Sequence, residues 1–151
     1  MEYVFVSGKD FNEARRGIRE LKGSGKTIVF SSNDDELARK VLEKEAIGIL
    51  LINQKNRKDR AKQRDSGFNH VLAKLAKKKD IVIGINLDEV LKAGTEKKEK
   101  AEILSRIRQN IAICNKNRLK MSFLPKLKDE YGLKALGLVL GMPTWMTKEL
   151  Q

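Results

Sequence analysis

The sequence predicts an α/β fold built on a parallel sheet, and three observations support this prediction. Short apolar runs alternate with helical patterns along the 151 residues. The run 47–52 is apolar without alternation, and the run 80–87 is also continuous rather than alternating, with polar residues at its bounds; this is typical of parallel strands covered on both faces. The length suits one domain with a substantial core. We therefore predict a single domain over residues 1–151, folded as an abbreviated β/α barrel or as an open doubly wound sheet.

The first two βα units follow from short-range patterns. The run Tyr3–Val6 is rich in aromatic and β-branched residues and predicts a first strand. Helical spacing begins at residue 10, and the run 26–31 predicts a second strand. Ser32 or Asn33 is expected to cap the helix that follows.

The third unit carries the most charged stretch of the chain. Strand 47–52 leads into the basic segment 55–64, and a helix then begins near Asp65 or Ser66, either of which supplies an N-cap oxygen. A helical wheel with its origin at Phe68 predicts a packed face and an opposite solvent face. The predicted packed residues are Phe68, Val71, Leu72, Leu75 and Ala76, and the predicted outward residues are His70, Lys74 and Lys77.

The remaining elements complete the alternation. Strand 80–87 is followed by one helical turn at 89–93, a charged loop at 94–100 and a long helix with a stripe of apolar residues. Strand 120–124 and helix 133–140 come next, and Thr144 is expected to cap a last short helix. The stripe on the long helix consists of Ile103, Leu104, Ile107, Ile111 and Cys114.

The charge of the chain favours a polyanionic partner. The formal net charge is +12, while 40% of the residues are apolar, so this is a folded basic protein rather than a disordered tail. No apolar run approaches the roughly 18 to 20 residues of a spanning helix, and no secretory signal opens the chain. We therefore expect a nucleic-acid partner, no membrane and a cytoplasmic location.

The scarcity of cysteine and histidine argues against several kinds of active site. The single cysteine, Cys114, excludes an internal disulfide and is predicted to be a buried thiol. The single histidine, His70, lacks a second titratable partner at useful spacing, which weighs against a general base, a catalytic triad or a multi-histidine metal centre. The acidic run 34–36 is interpreted as first-turn helix charges, and the run 22–27 as a turn rather than a phosphate loop. We predict no catalytic residue, metal ligand or bound cofactor.

The basic segment and the helix after it are predicted to contact the phosphate backbone of RNA. Six of the ten residues from Lys55 to Arg64 are basic, and the carboxyl ends of parallel strands are where α/β proteins place their sites. An ordinary solvated charged face is the alternative. Arg106, with Arg108, either extends this surface or forms ion pairs with nearby glutamates. The predicted RNA-binding residues are Lys55, Arg57, Lys58, Arg60, Lys62, Arg64, His70, Lys74, Lys77 and Arg106.

The stretch 64–73, RDSGFNHVLA, resembles a block with the pattern DSG-x-NHVLA in archaeal ribonuclease P protein component 3. The resemblance continues through IGINLDEVL at 83–91, ILSRIRQNIAIC at 103–114 and LGLVLGM at 136–142. This chain is shorter than members of that family, and its segment 123–135 departs from the family pattern. The expected barrel is therefore an abbreviated one.

The resemblance implies a TIM-barrel-like fold and a role in removing the 5′ leader from precursor tRNA. It implies a protein subunit that binds ribonuclease P RNA and precursor tRNA, in a heteromer with a small ferredoxin-like protein subunit. The RNA would carry catalysis with Mg²⁺, and this chain would be non-catalytic on its own. A degenerate metal-dependent phosphoesterase and a general nucleic-acid-binding module are the alternatives.

Overall fold

The computed structural model of the protein describes residues 2–59, 61–92 and 96–150, and these contain five parallel strands in one sheet. The strands lie side by side in chain order, β1-β2-β3-β4-β5, and every neighbouring pair is parallel. The strands are β1 (Tyr3–Val6), β2 (Thr27–Ser31), β3 (Ile49–Ile52), β4 (Val82–Asn86) and β5 (Met121–Leu124).

The described residues also form seven helices, which alternate with the strands. The long helix α5 is the most extensive, with 20 residues. The helices are α1 (Phe11–Glu20), α2 (Asp35–Lys44), α3 (His70–Lys78), α4 (Leu87–Leu91), α5 (Lys97–Lys116), α6 (Glu130–Leu140) and α7 (Thr144–Lys148).

The strand order identifies the winding as that of a barrel. A doubly wound sheet reverses its strand order at a switch point, because its helices cover both faces. Here the order never reverses, and the buried apolar residues of all seven described helices belong to the core cluster on one face of the sheet. The structure thus confirms the abbreviated TIM-barrel-like fold over the doubly wound alternative.

The two faces of the sheet have different surroundings. Ile28, Phe30 and Leu50 point to the face that packs against the helices and belong to the main core. The alternate residues Val29, Ile49 and Leu51 point to the opposite face and form a second cluster there. Among the described residues, this cluster contains side chains of strands and none of helices. Apolar side chains therefore line both faces of the sheet, which explains why the strands are apolar along their length.

Helix α3 begins later than the sequence predicted, and its packed face changes as a result. Gly67 has φ +74° and Asn69 is extended, so Phe68 precedes the helix and is a poor origin for a helical wheel. Asn69, rather than Asp65 or Ser66, is the N-cap and accepts the Leu72 N–H at 2.9 Å. Consequently Val71 is 68% exposed and Ala73 joins the buried face, which differs from the prediction. The other predicted packed residues are confirmed, since Phe68 and Ala76 are buried and Leu72 and Leu75 pack partly buried against the core.

Other helix boundaries were also predicted imperfectly. The N-cap of α2 is Asp34, whose carboxylate accepts the Glu36 and Leu37 N–H groups, rather than Ser32 or Asn33. Thr144 is the first residue of α7 rather than its cap. The predicted turn at 89–93 begins at Leu87, and its last residue lies outside the described residues.

Cys114 is fully buried in the apolar stripe of α5, as predicted. Burial raises the pKa of its thiol to about 12, from an ordinary value of 9.0. Since the unfolded chain ionises first, folding stability should fall by about 1.4 kcal/mol per pH unit between these two pKa values. We expect Cys114→Ala to lose this component of the alkaline slope in denaturant unfolding measured from pH 8 to 11. An unchanged slope would contradict the assignment.

Candidate nucleic-acid interface

The loop between β3 and α3, residues 53–69, is held from beneath by the buried side chain of Arg106, which is 2% exposed. Its Nη1 donates to the Gln54 carbonyl at 3.2 Å, and its Nη2 donates to the Arg57 carbonyl at 2.9 Å. Its Nε donates to Asp59 at 3.0 Å. Arg106 therefore supports the loop from inside rather than extending the exposed cationic surface, which corrects its predicted role in contacting RNA.

Asp59 connects two parts of the same loop. One oxygen of its carboxylate accepts both the Arg106 Nε–H and the backbone N–H of Asp65, at 3.0 and 2.9 Å. The hydrogen bond from Arg106, followed by the one from Asp65, holds the pKa of Asp59 below its ordinary value. The only acid inside the basic segment thus has a structural role.

Ser66 is the second anchor of the loop and is 1% exposed. Its carbonyl accepts the side-chain amide of Gln54 at 3.0 Å and that of Asn110 at 3.4 Å. Gln54 and Asn110 are themselves buried, so these bonds form where water is excluded. The segment 65–67, Asp-Ser-Gly, therefore attaches the end of the loop to α5.

Glu89 fixes the beginning of the loop at the carboxyl edge of the sheet. Its two carboxylate oxygens accept the backbone N–H groups of Gln54 and Lys55, both at 2.8 Å. Beside it, the Asn86 amide donates to Asn53 at 2.9 Å. The chain thus leaves β3 in a direction set by residues that end β4 and form α4.

Arg57 is also more structural than the sequence suggested, since its side chain is only 12% exposed. It makes a bidentate pair with Asp35 of α2, at 2.9 and 3.0 Å, and donates to the Asn53 carbonyl at 2.6 Å. The guanidinium also lies where a Cβ on Gly67 would project. Arg57 therefore joins the loop to α2.

Replacing Gly67 with alanine is expected to destabilise the protein by about 2 kcal/mol. Gly67 has φ +74°, and an added Cβ would collide with the Arg57 guanidinium and break its pair with Asp35. Gly25→Ala is a matched control, because Gly25 has φ +75° with nothing within 4 Å of an added Cβ. Urea unfolding of both variants should show a larger loss for Gly67; equal losses would contradict the proposed clash.

Four of the predicted loop cations remain exposed once these anchors are removed from the set. Arg64 lies 3.7 Å from Asp59, but its side chain is 46% exposed. Arg60 lies outside the described residues. The exposed cations are Lys55, Lys58, Lys62 and Arg64.

A groove of about 910 Å³ lies between the later part of this loop and the start of α2. Lys62, Arg64 and His70 line it, together with Arg39 of α2. Its acidic lining residues are Asp35, Glu36 and Asp65, and Asp35 is paired with Arg57. Among its cations, Arg39 is paired with Glu43, whereas Lys62 and Arg64 are exposed along the margin.

The outward face of α3 agrees with the prediction for its three polar residues. His70, Lys74 and Lys77 are exposed, and Lys77 Nζ donates to the Arg118 carbonyl at 2.9 Å. The Asn117 amide nitrogen lies 3.1 Å from Nδ1 of His70.

The part of the chain that the structure describes has neither a metal-binding cluster nor a membrane-spanning helix. It contains no group of three or more His, Cys, Asp or Glu residues arranged to hold a metal ion. Within the same residues, no helix is both long and apolar enough to cross a bilayer.

The sequence did not predict how the loop is organised, because Arg106 was placed in the RNA-binding set and Asn110 was not singled out. Arg106 and Asn110 lie four residues apart on α5, within the same stripe as Ile103, Ile107 and Ile111. Polar side chains inside an apolar helical stripe indicate buried hydrogen bonding, so the signal was present. The partners Asp35 and Glu89 lie 22 and 34 residues from Arg57 and Lys55, which no local pattern reveals.

The fold and this loop define a parallel β/α protein of barrel winding that presents clustered cations at the carboxyl edge of its sheet. Within that class, the chain is similar to archaeal ribonuclease P protein component 3, which confirms the resemblance seen in the sequence. It is 25% identical to that protein from Methanococcus maripaludis strain C7 over 147 residues, and 22% identical to that from Methanothermobacter thermautotrophicus over 139 residues. No protein-family model matches the chain.

These alignments cover 97% and 92% of this chain but 60% and 54% of the two relatives. The chain therefore spans somewhat more than half the length of these curated relatives. Its fold also matches a chain in a cryo-EM structure of archaeal ribonuclease P with mature tRNA, with a TM-score of 0.78 and 22% identity. That match covers 97% of this chain and 62% of the other.

Proposed function

We propose that this chain is an RNA-binding protein subunit of ribonuclease P that assists the removal of the 5′ leader from precursor tRNA. The observation that carries the proposal is the similarity of 97% of the chain to ribonuclease P protein component 3. The exposed cations of the loop support it, because contacts to RNA phosphates need charged side chains held in a fixed register.

In this proposal the chain has no catalytic residue of its own. The RNA subunit carries the chemistry and uses Mg²⁺, while the loop and the outward face of α3 bind ribonuclease P RNA or precursor tRNA. A small ferredoxin-like protein subunit is the proposed protein partner, and the cytoplasm is the proposed location. The RNA-contacting set is Lys55, Lys58, Arg60, Lys62, Arg64, His70, Lys74 and Lys77.

Reconstitution tests the proposal directly. Cleavage of precursor tRNA would be measured with the cognate RNA and the other protein subunits, with and without this chain. We expect faster cleavage, or cleavage at a lower Mg²⁺ concentration, when the chain is present. An identical cleavage rate in its absence would overturn the proposal.

The purified chain alone distinguishes the two alternatives. Phosphodiester hydrolysis that requires added divalent metal and stops on chelation would support a degenerate phosphoesterase. Equal affinity for ribonuclease P RNA and for unrelated RNA, with the same steep salt dependence, would support a general nucleic-acid-binding module. The proposed subunit role predicts neither result.

A further inference from the structure

The turn that ends α5 places an arginine where helices usually have glycine. Arg118 has φ +56°, and the N–H of Leu119 bonds to the Cys114 carbonyl at 2.9 Å. This is the left-handed helix ending in which glycine is favoured, because a side chain there is strained. Helix α6 ends in the same way but with Gly141, whose φ is +105°. The arginine at the end of α5 thus occupies a position that backbone preference alone would not select.

Two side-chain contacts attach this turn to the outward face of α3. Lys77 Nζ donates to the Arg118 carbonyl at 2.9 Å, and the Asn117 amide contacts His70 at 3.1 Å. His70 and Lys77 both belong to the proposed RNA-binding surface. The turn therefore continues that surface onto the end of α5.

The Arg118 side chain is presented on an aromatic ring. Its guanidinium carbon lies over the Trp145 ring, 5.6 Å from the centroid. The indole N–H donates to Asn115 at 3.0 Å, which fixes the ring, and the ring packs partly against the main core. Arg118 itself is exposed, and exposed Lys116 precedes it by two residues. A planar cation on a fixed aromatic ring, beside further cations, has the composition of a site for an unpaired base and its phosphates.

We infer that Arg118 and Trp145 form a stacking site for one unpaired base of the bound RNA, with Lys77 and Lys116 placed to contact the adjoining phosphates. The inference rests on the proposed function and extends it to single-stranded RNA. A guanidinium plane or an indole stacks on any base, whereas a duplex keeps its bases stacked on one another. Lys77 retains donors for a phosphate, because an ammonium group has three N–H bonds and one of them reaches the Arg118 carbonyl.

Trp145 supplies the measurement, since it is the only tryptophan in the chain. Its fluorescence would be recorded during titration with a single-stranded RNA decamer and with a duplex of the same length, while anisotropy of a labelled RNA reports binding. We expect the single strand to quench Trp145 and the duplex to bind without quenching. Equal quenching by the duplex, or single-strand binding with no change in emission, would overturn the inference.

Two substitutions of Arg118 distinguish the effect of stacking on RNA affinity from the effects of charge and of fold stability. Arg118→Gly relieves the backbone strain, so its thermal unfolding midpoint should be unchanged or higher, while affinity for the single strand falls about tenfold. Arg118→Lys keeps the charge but not the planar group, and it should lose affinity to a similar extent. Wild-type affinity in Arg118→Lys would indicate a simple phosphate contact and would contradict stacking.

The same titrations keep this inference distinct from the proposed function. RNA binding that is unaffected by Arg118→Gly would remove the stacking site and leave the RNA-binding role intact. Absence of binding to single-stranded RNA, duplex RNA and ribonuclease P RNA would overturn the proposed function itself, and the stacking site with it.

Discussion

Replacing Arg106 with methionine is expected to lower the free energy of unfolding by about 3 kcal/mol. Methionine fills a similar space without donors, so the buried carbonyl of Gln54 and the partly buried carbonyl of Arg57 would lose their partner. Asp59 would also lose the hydrogen bond that lowers its pKa. Denaturant unfolding measures the loss, and limited proteolysis within residues 53–69 shows whether the loop is released.

Arg108→Met is the matched control for that experiment. Arg108 lies two residues further along the same helix and is exposed, so its replacement should change the free energy of unfolding by less than about 0.5 kcal/mol. Equal effects at the two positions would contradict the role assigned to Arg106.

The pH dependence of stability provides a further check on the same contact. A lowered pKa at Asp59 contributes stability above the pKa that this group has in the unfolded chain. That contribution is lost as the pH falls through the lower, folded-state pKa. Wild type should therefore lose more stability than Arg106→Met on acidification.

Neutralising Lys55, Lys58 and Lys62 together, each to glutamine, is expected to weaken RNA binding about 50-fold at 0.15 M salt. The estimate follows from three lost phosphate contacts, each of which releases counterions on binding. The slope of log affinity against log salt should become shallower by about 2. Since all three side chains are exposed, the free energy of unfolding should hardly change.

Lys9, Lys22 and Lys40, replaced together by glutamine, form the control for this variant. Both triple variants lower the formal net charge from +12 to +9, but the control positions are exposed and lie outside the loop and α3. We expect the control to retain most of the affinity and the wild-type salt slope.

Equal weakening in both variants would show that net charge, rather than the loop, determines binding. Arg57 is left unchanged in both, because its pair with Asp35 supports the fold.

The sequence predicted the alternation of strands and helices well, because apolar periodicity reflects burial directly. The strand Tyr3–Val6 and the buried thiol of Cys114 are examples. The choice between a barrel and a doubly wound sheet was not available from periodicity, because strand order depends on pairings between distant segments.

Predictions about the site were weaker wherever a charged residue has a structural role. Composition treated Arg57 and Arg106 as two more cations, yet both are largely buried and paired with acids far away in sequence. Arg118 and Trp145 were missed because they meet only through the fold, 27 positions apart. Exposed lysines were easier to predict, since their exposure requires no specific partner.

The strand order also has a consequence for how the chain folds during synthesis. Each strand pairs with the strand of the unit before it, so that β2 docks on β1 and β3 on β2 as the chain lengthens. A growing polypeptide can therefore pair each new strand with the strand that precedes it in the chain. The loop at 53–69 is the exception, because its anchors Glu89 and Arg106 emerge later. The cationic surface is thus completed only after α5 has been synthesised.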